Sequence, residues 1–295
     1  MGVTKVDIMA RAEQLTAPCS YHGEGPFWDN YSARLMCVDV LASAVISIDE
    51  HGRTERHQVP SRAATLIRRR RSGGFVIGTD HGILLADSEL SAFTPFADIV
   101  CDPSVRTNDG GCDPLGALVI GTMAYDETPG RGAVYRVTAD TRSTVILAPV
   151  SISNGVQWSA DGRRAFYIDS PTQRVDVFDV DSKTGEWSNR RTHIDLGNVE
   201  GIPDGMTIDC DDGLWVAFWG GGAVLHFDEM GLLNERIEVP GASQVSSCTF
   251  GGRDLSTLFI TTSRQGLPSS VEPEAGAVFS ISTATRGAVQ AEFAG

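Results

Sequence analysis

The stretch Leu214–Asp228, LWVAFWGGGAVLHFD, is an apolar run, a glycine cluster and a second apolar run that stops on an aspartate. Locally it reads as two short strands joined by a glycine turn. Five other segments repeat the plan: RLMCVDVLASAVISID from Arg34, GFVIGTDHGILLAD from Gly74, ALVIGTMAYDETPGRGAVYRV from Ala117, RAFYIDSPTQRVDVFDVD from Arg164 and TLFITTSRQGLPSSVEPEAGAVFSIS from Thr257. With Leu35, Phe75, Ala117, Ala165, Leu214 and Leu258 as their starts, the steps are 40, 42, 48, 49 and 44 residues. That is the scale of one four-stranded propeller blade. Short, evenly spaced strands also suit a β-sandwich, but a sandwich supplies no reason for six similar units. The expected fold is all-β: one six-bladed β-propeller domain over residues 1–295, with four-stranded blades around a central channel. The segment TKVDIMA at Thr4 to Ala10 is expected to pair with the last blade beside GAVQAEF, so that both termini seal the ring.

Composition narrows the function classes. The chain has 24 basic and 38 acidic residues, a formal net charge of −14. Such a balance argues against nucleic acid, whose backbone calls for a basic patch. It leaves room for an anionic small substrate, because one well-placed Arg or metal ion can dominate locally. No apolar run approaches the ~18 residues that span a bilayer, and MGVTKVDIMARAEQLT lacks the apolar stretch of a signal peptide. A cytoplasmic monomer with a small-molecule partner, and neither membrane nor nucleic acid, is the expectation. The six cysteines are scattered without a CxxC, which speaks for buried thiols rather than disulfides or a zinc knuckle.

The repeat also carries a phase. About ten residues before the six starts stand Glu24, Thr65, Asn108, Asn154, Asp204 and Cys248. In a propeller the innermost strand of each blade lines the channel, so matching positions meet at one of its ends. Two carboxylates and two amides are thereby gathered on one face. Their oxygens suit a hard divalent ion, and Zn²⁺, Mn²⁺ or Mg²⁺ also accepts such ligands. Bound channel water and capped strand amides are the plainer use of the same ring, and spacing leaves both open.

The individual motifs are less decisive. In HGEGPFWD, glycines around Glu24 permit a close backbone approach, although a turn with a solvated Glu has the same composition. In VRTNDGGCDPLG, Arg106 and Asn108 alternate on one extended face, whereas Asp109 and Asp113 read as turn residues. The run Arg68 to Arg71 reads as a solvated turn at the opposite mouth. Of the six histidines only His22 lies near a ring residue. No GxxxxGK, strand-to-helix GxGxxG, HExxH or GxSxG is present, so nucleotide binding, zinc protease and serine esterase chemistry lack support.

Taken together, EGPFWD, RTNDGGCDPLGALVIGTM, SNGVQWSADGRRAFYIDS, IPDGMTIDCDDGLWVAFWGGGAV and SSCTFGG resemble the senescence marker protein 30, gluconolactonase and luciferin-regenerating enzyme family, in order and over nearly the whole chain. The resemblance implies a propeller holding one divalent cation (Ca²⁺, Zn²⁺, Mn²⁺ or Mg²⁺) and acting on a sugar lactone. It makes Glu24, Asn154 and Asp204 the matching metal ligands, Asp204 the matching catalytic base, and Arg106 and Asn108 the residues that hold the substrate. Asp126 matches an acidic substrate contact, but AYDE replaces the AEE of animal members, which puts sugar specificity in question. The implied chemistry is coherent, since a cation polarises the lactone carbonyl and lowers the pKa of water while a carboxylate takes the proton. Two other classes fit a six-bladed propeller: a calcium-dependent phosphotriesterase or aryl/acyl lactonase, and a noncatalytic binding protein.

Overall fold

The computed structural model describes residues 9–268 and 270–295. Six sheets follow one another around a channel, and the sequence repeat maps onto them one unit per blade. Blade 1 comprises Gly23–Asp29, Arg34–Asp39, Ala44–Ile48 and Thr54–Gln58, from the axis outward. Blade 2 comprises Ala64–Arg69, Phe75–Thr79, Gly82–Ala86 and Phe93–Asp98. Blade 3 begins at the axis with Val105–Cys112, blade 4 with Ser153–Trp158, blade 5 with Ile202–Ile208 and blade 6 with Val245–Gly251. The alternating apolar residues of these strands pack between neighbouring blades; Trp215, Val224, Phe250, Leu258 and Phe279, for example, form one cluster between blades 5 and 6.

Blade 6 takes three strands from the C-terminal part of the chain, and its outermost strand is Glu13–Gln14, antiparallel to Val278–Ser282. The approach differs from the sequence expectation. Met9–Arg11 lies parallel to Leu233–Glu238 at the outside of blade 5, and Thr4 to Ile8 fall outside the described residues. Among the described residues Gly287–Phe293 does not pair with Met9–Arg11. It runs across the far end of the channel, where Gly287, Ala288 and Phe293 donate backbone hydrogen bonds to Leu255, Ile208 and Arg69. Its anchor is Phe293, fully buried and edge-on to Phe96 at 5.5 Å.

One irregularity recurs in every blade. The pairing of the two strands nearest the axis shifts register between Glu24 and Phe27, Ala64 and Leu66, Thr107 and Gly110, Asn154 and Val156, Pro203 and Met206, and Val245 and Ser247. A bulge of this kind bends the strand and re-aims a side chain. Here the bulges of blades 1, 3, 4 and 5 turn Glu24, Asn108, Asn154 and Asp204 toward one mouth of the channel, while those of blades 2 and 6 keep Thr65 and Ser246 bonded within the wall.

Candidate active site at the channel mouth

A cavity of about 150 Å³ opens at that mouth, and Glu24, Arg106, Asn108, Asn154 and Asp204 line it. The approaches to Glu24 and Asn154 are held from behind by their own blades. Asp39, at the end of the second strand of blade 1, accepts the backbone N–H groups of Tyr21 and His22 just before Glu24. Asp169 does the same for Ser151 and Ile152 just before Asn154. Asp39 and Asp169, which end the first apolar run of their repeat units, are therefore clamps on the incoming loops of the inner strands.

A run of hydrogen bonds crosses from blade 3 to blade 5. Arg106 Nη1 donates to Asn108 Oδ1, and Asn108 Nδ2 donates to Asn154 Oδ1 at 3.0 Å and to the Ser153 carbonyl at 2.9 Å. Asn154 Nδ2 donates to Ser170 Oγ at 2.8 Å, whose own proton goes to the Pro203 carbonyl at 2.7 Å. Asn154 is thereby fixed with its carbonyl oxygen toward Asn108 and one lone pair uncommitted. Asp204, next along the chain, ends the run with nothing: among the described residues no hydrogen bond reaches its carboxylate, although the residue is buried. Among the described residues Glu24 Oε2 accepts only the N–H of Gly25, at 2.9 Å.

These acids are electrostatically uncomfortable as they stand. Burial pushes the Glu24 carboxyl up to about 8, the neighbouring Asp109 adds to the rise, and Arg106 and Arg68 only partly oppose it. Asp204 is driven well above the ordinary carboxylate range by burial and then by Glu24 and Asp109. Desolvated like charges of this kind are relieved either by a proton or by a cation. Among the described residues no three His, Cys, Asp or Glu side chains converge as a metal cluster. The mouth offers instead two carboxylates and the Asn154 amide oxygen, an all-oxygen donor set suited to a hard divalent ion with open positions left for water or substrate. The residues present therefore fit such an ion, and Glu24, Asn154 and Asp204 are those that would hold it.

Two sequence expectations, Thr65 and Cys248 as members of the ring, are corrected. Thr65 does sit in its bulge, but its hydroxyl pairs with Thr107 Oγ1 at 2.6 Å inside the wall. Cys248 lies beyond its bulge, buried with Sγ against the Trp215 carbonyl, and the residue in phase in blade 6 is Ser246. Asp126 does not line the cavity; it is exposed and accepts the Thr128 N–H, while its neighbour Glu127 lines the mouth at a φ of 58°. Glu127 is thus the acidic residue of this loop that reaches the lining. Of the cysteines only Cys37, Cys112 and Cys248 are buried, and all six are unpaired.

Met123, Ser170 and Trp219 also line the mouth, at or just after the ends of second strands. They share a phase of their own, and applying the repeat to strand ends as well as strand starts would have found them. His22 lies in the lining too, its Nδ1 2.9 Å from Ser263 Oγ and its ring edge-on to Trp219. Burial, then the Arg106 charge, lowers its pKa to about 3, so the imidazole is neutral. Tyr125, exposed at the rim, carries the guanidinium groups of Arg62 and Arg106 over its ring at 5.4 and 5.9 Å.

A family profile described as the SMP-30/Gluconolactonase/LRE-like region matches residues 22–264. Regucalcin of Danio rerio is 35% identical over 265 residues, covering 88% of this chain and 90% of that protein. The crystal structure of a regucalcin of Agrobacterium tumefaciens, described as calcium-binding, superposes with a TM-score of 0.91 at 28% identity, covering 97% of this chain and 98% of that one. A luciferin-regenerating enzyme gives 0.88 at 27% identity, with 96% and 99% covered.

Proposed function

Given that the chain belongs to the SMP-30/gluconolactonase/LRE-like family, we propose that it hydrolyses a sugar acid lactone, such as an aldonolactone of five or six carbons, to the open-chain sugar acid. The observation that carries this reading is the Asp204 carboxylate, buried at the mouth beside Glu24 and Asn154 and free of any partner among the described residues. A carboxylate that lines the mouth and accepts no bond from the protein keeps both oxygens open to a cation, water or substrate. A divalent cation held by Glu24, Asn154 and Asp204 would supply carbonyl polarisation and a lowered pKa for water. The calcium-binding description of the Agrobacterium relative is consistent with such an ion.

The chain's own residues do the rest. Asp204 takes the proton of the water that adds to the lactone carbonyl, and returns it to the ring oxygen as the C–O bond breaks, leaving a hydroxy acid. Arg106 cannot serve as an acid, since its guanidinium does not deprotonate. Its Nη1 protons are committed to Thr107 and Asn108, which fixes the plane of the guanidinium and leaves the Nη2 and Nε edge for substrate oxygens. Asn108 Oδ1, with one lone pair left beside the Arg106 bond, and the Glu127 carboxylate line the same mouth and offer acceptors to sugar hydroxyls. The setting we propose is the reducing cytoplasm, which six unpaired thiols support. Among the described residues no helix is long and apolar enough to cross a membrane.

The test is a panel of aldonolactones, aryl esters and phosphotriesters, assayed after chelation and again with Ca²⁺, Mn²⁺, Zn²⁺ or Mg²⁺ restored. Lactone opening that depends on added metal supports the proposal. Turnover of phosphotriesters or aryl esters alone, or ligand binding with no turnover at all, defeats it.

A further inference from the structure

The residues lining the mouth come from blades 1, 3, 4, 5 and 6, and blade 2 contributes none. Blade 2 nevertheless reaches the site from behind. Arg68, which the sequence places in a basic run typical of a solvated turn, is buried at the end of the innermost strand of blade 2. Its guanidinium Nη1 donates to the Gly25 carbonyl at 3.0 Å and to the Ile67 carbonyl at 2.8 Å, and Nη2 donates to the Gly110 carbonyl at 2.7 Å. Gly25 follows Glu24 inside the bulge of blade 1. Gly110 is the residue at which pairing resumes after the bulge that carries Asn108 in blade 3.

We propose that Arg68 is a positioning residue of the mouth: a single fork from blade 2 that locks the bulges of blades 1 and 3 and so fixes where Glu24 and Asn108 point. The planar guanidinium is suited to this, because it reaches carbonyls on two flanking strands at once, which a Lys ammonium of similar length does not. The fork spends its hydrogen bonds on neutral carbonyls. This role rests on the site assignment given under the proposed function, yet the geometry it claims is independent of turnover.

Arg68→Lys keeps the charge and most of the volume while removing the fork. Hydrogen exchange on the folded variant is expected to rise about tenfold in Gly23–Asp29 and Val105–Cys112 and to stay at the parent level in Ser153–Trp158 and Val245–Gly251. Mn²⁺ binding, followed by calorimetry, should weaken by about 10-fold or more, in the range seen when supports behind metal ligands are removed. A uniform rise in exchange over all inner strands would assign Arg68 to general stability and overturn the proposal. So would parent-like exchange and Mn²⁺ affinity, and so would a Lys variant that does not fold, since a positioning role predicts a folded protein. If the parent itself binds no Mn²⁺ and opens no lactone, the proposed function fails, and the exchange pattern still decides the role of Arg68.

Discussion

Two aspartates five residues apart in blade 5 have opposite surroundings. Asp209, at the turn after the inner strand, is buried and fully used: it accepts the N–H groups of Asp211 and Gly213, the indole N–H of Trp215 at 3.0 Å, and pairs with His226 at 3.1 Å. Burial raises its pKa, but the bonds from His226, Trp215 and the backbone outweigh that, so it lies below the ordinary value. Asp204, at the bulge, is buried with no bond from the protein and lies well above it. One carboxylate holds the fold together and the other is held by it. The difference lies in the donors around each, since burial is common to both.

The largest expected effect that would break this comparison is on catalysis. Asp204→Asn keeps size and one ligand oxygen but cannot take a proton, so kcat on the best lactone should fall by about 10²-fold or more while Mn²⁺ still binds. Metal retained with near-parent kcat would place the base elsewhere; metal and activity lost in proportion would leave Asp204 a ligand only. Asp209→Ala should do the reverse. It removes a charge-assisted set of bonds and leaves buried donors unpaired, which costs about 2–4 kcal/mol in urea unfolding, with kcat per folded molecule unchanged. A kcat loss larger than the loss of folded protein would deny the separation.

Arg106→Ala tests the substrate side of the mouth. Losing a charged contact made in the transition state should lower kcat/KM by about 10- to 100-fold, roughly 1.4 to 2.7 kcal/mol. A fully active variant would remove Arg106 from the site.

The pH dependence sharpens the contrast. Glu24, raised in the fold from its ordinary 4.5 to about 8, binds a proton that the unfolded chain has released, so in metal-stripped protein its contribution is full below about 4.5 and is lost as pH rises toward 8. Asp209, lowered in the fold, contributes above its unfolded pKa and loses that contribution as pH falls through its folded value. Thermal unfolding of the chelated protein should therefore weaken from pH 5 to pH 8, and saturating Mn²⁺ should remove that fall. A profile that is flat without metal would mean the mouth acids are not strained. The smallest effect separates neighbours on the rim: Glu127→Gln should raise lactone KM by about 3- to 10-fold, the value of one lost charged hydrogen bond, whereas Asp126→Asn should leave it unchanged. The opposite result would return the substrate contact to Asp126.

Much of this was legible in the chain. Strand and turn chemistry are local, so six units with apolar runs, glycine turns and closing aspartates specified the blades, and their common phase placed Glu24, Asn108, Asn154 and Asp204 on one face. Arg68 was misread because a run of four arginines looks solvated unless three carbonyls from three strands are known to surround one of them. Glu127 in the lining went unread for a similar reason, since the course of a loop over the mouth is set by what the loop packs against.

The sequence by itself determined the number of blades, the order of the strands and the level at which each inner strand offers a polar residue, because all of these follow from period and turn residues along one chain. Only the tertiary structure decided which of those residues face the mouth and which carboxylate goes without a partner. Each bulge is fixed by its neighbouring strand and by contacts from the next blade, such as the Arg68 fork, and those contacts join residues that stand far apart in the sequence.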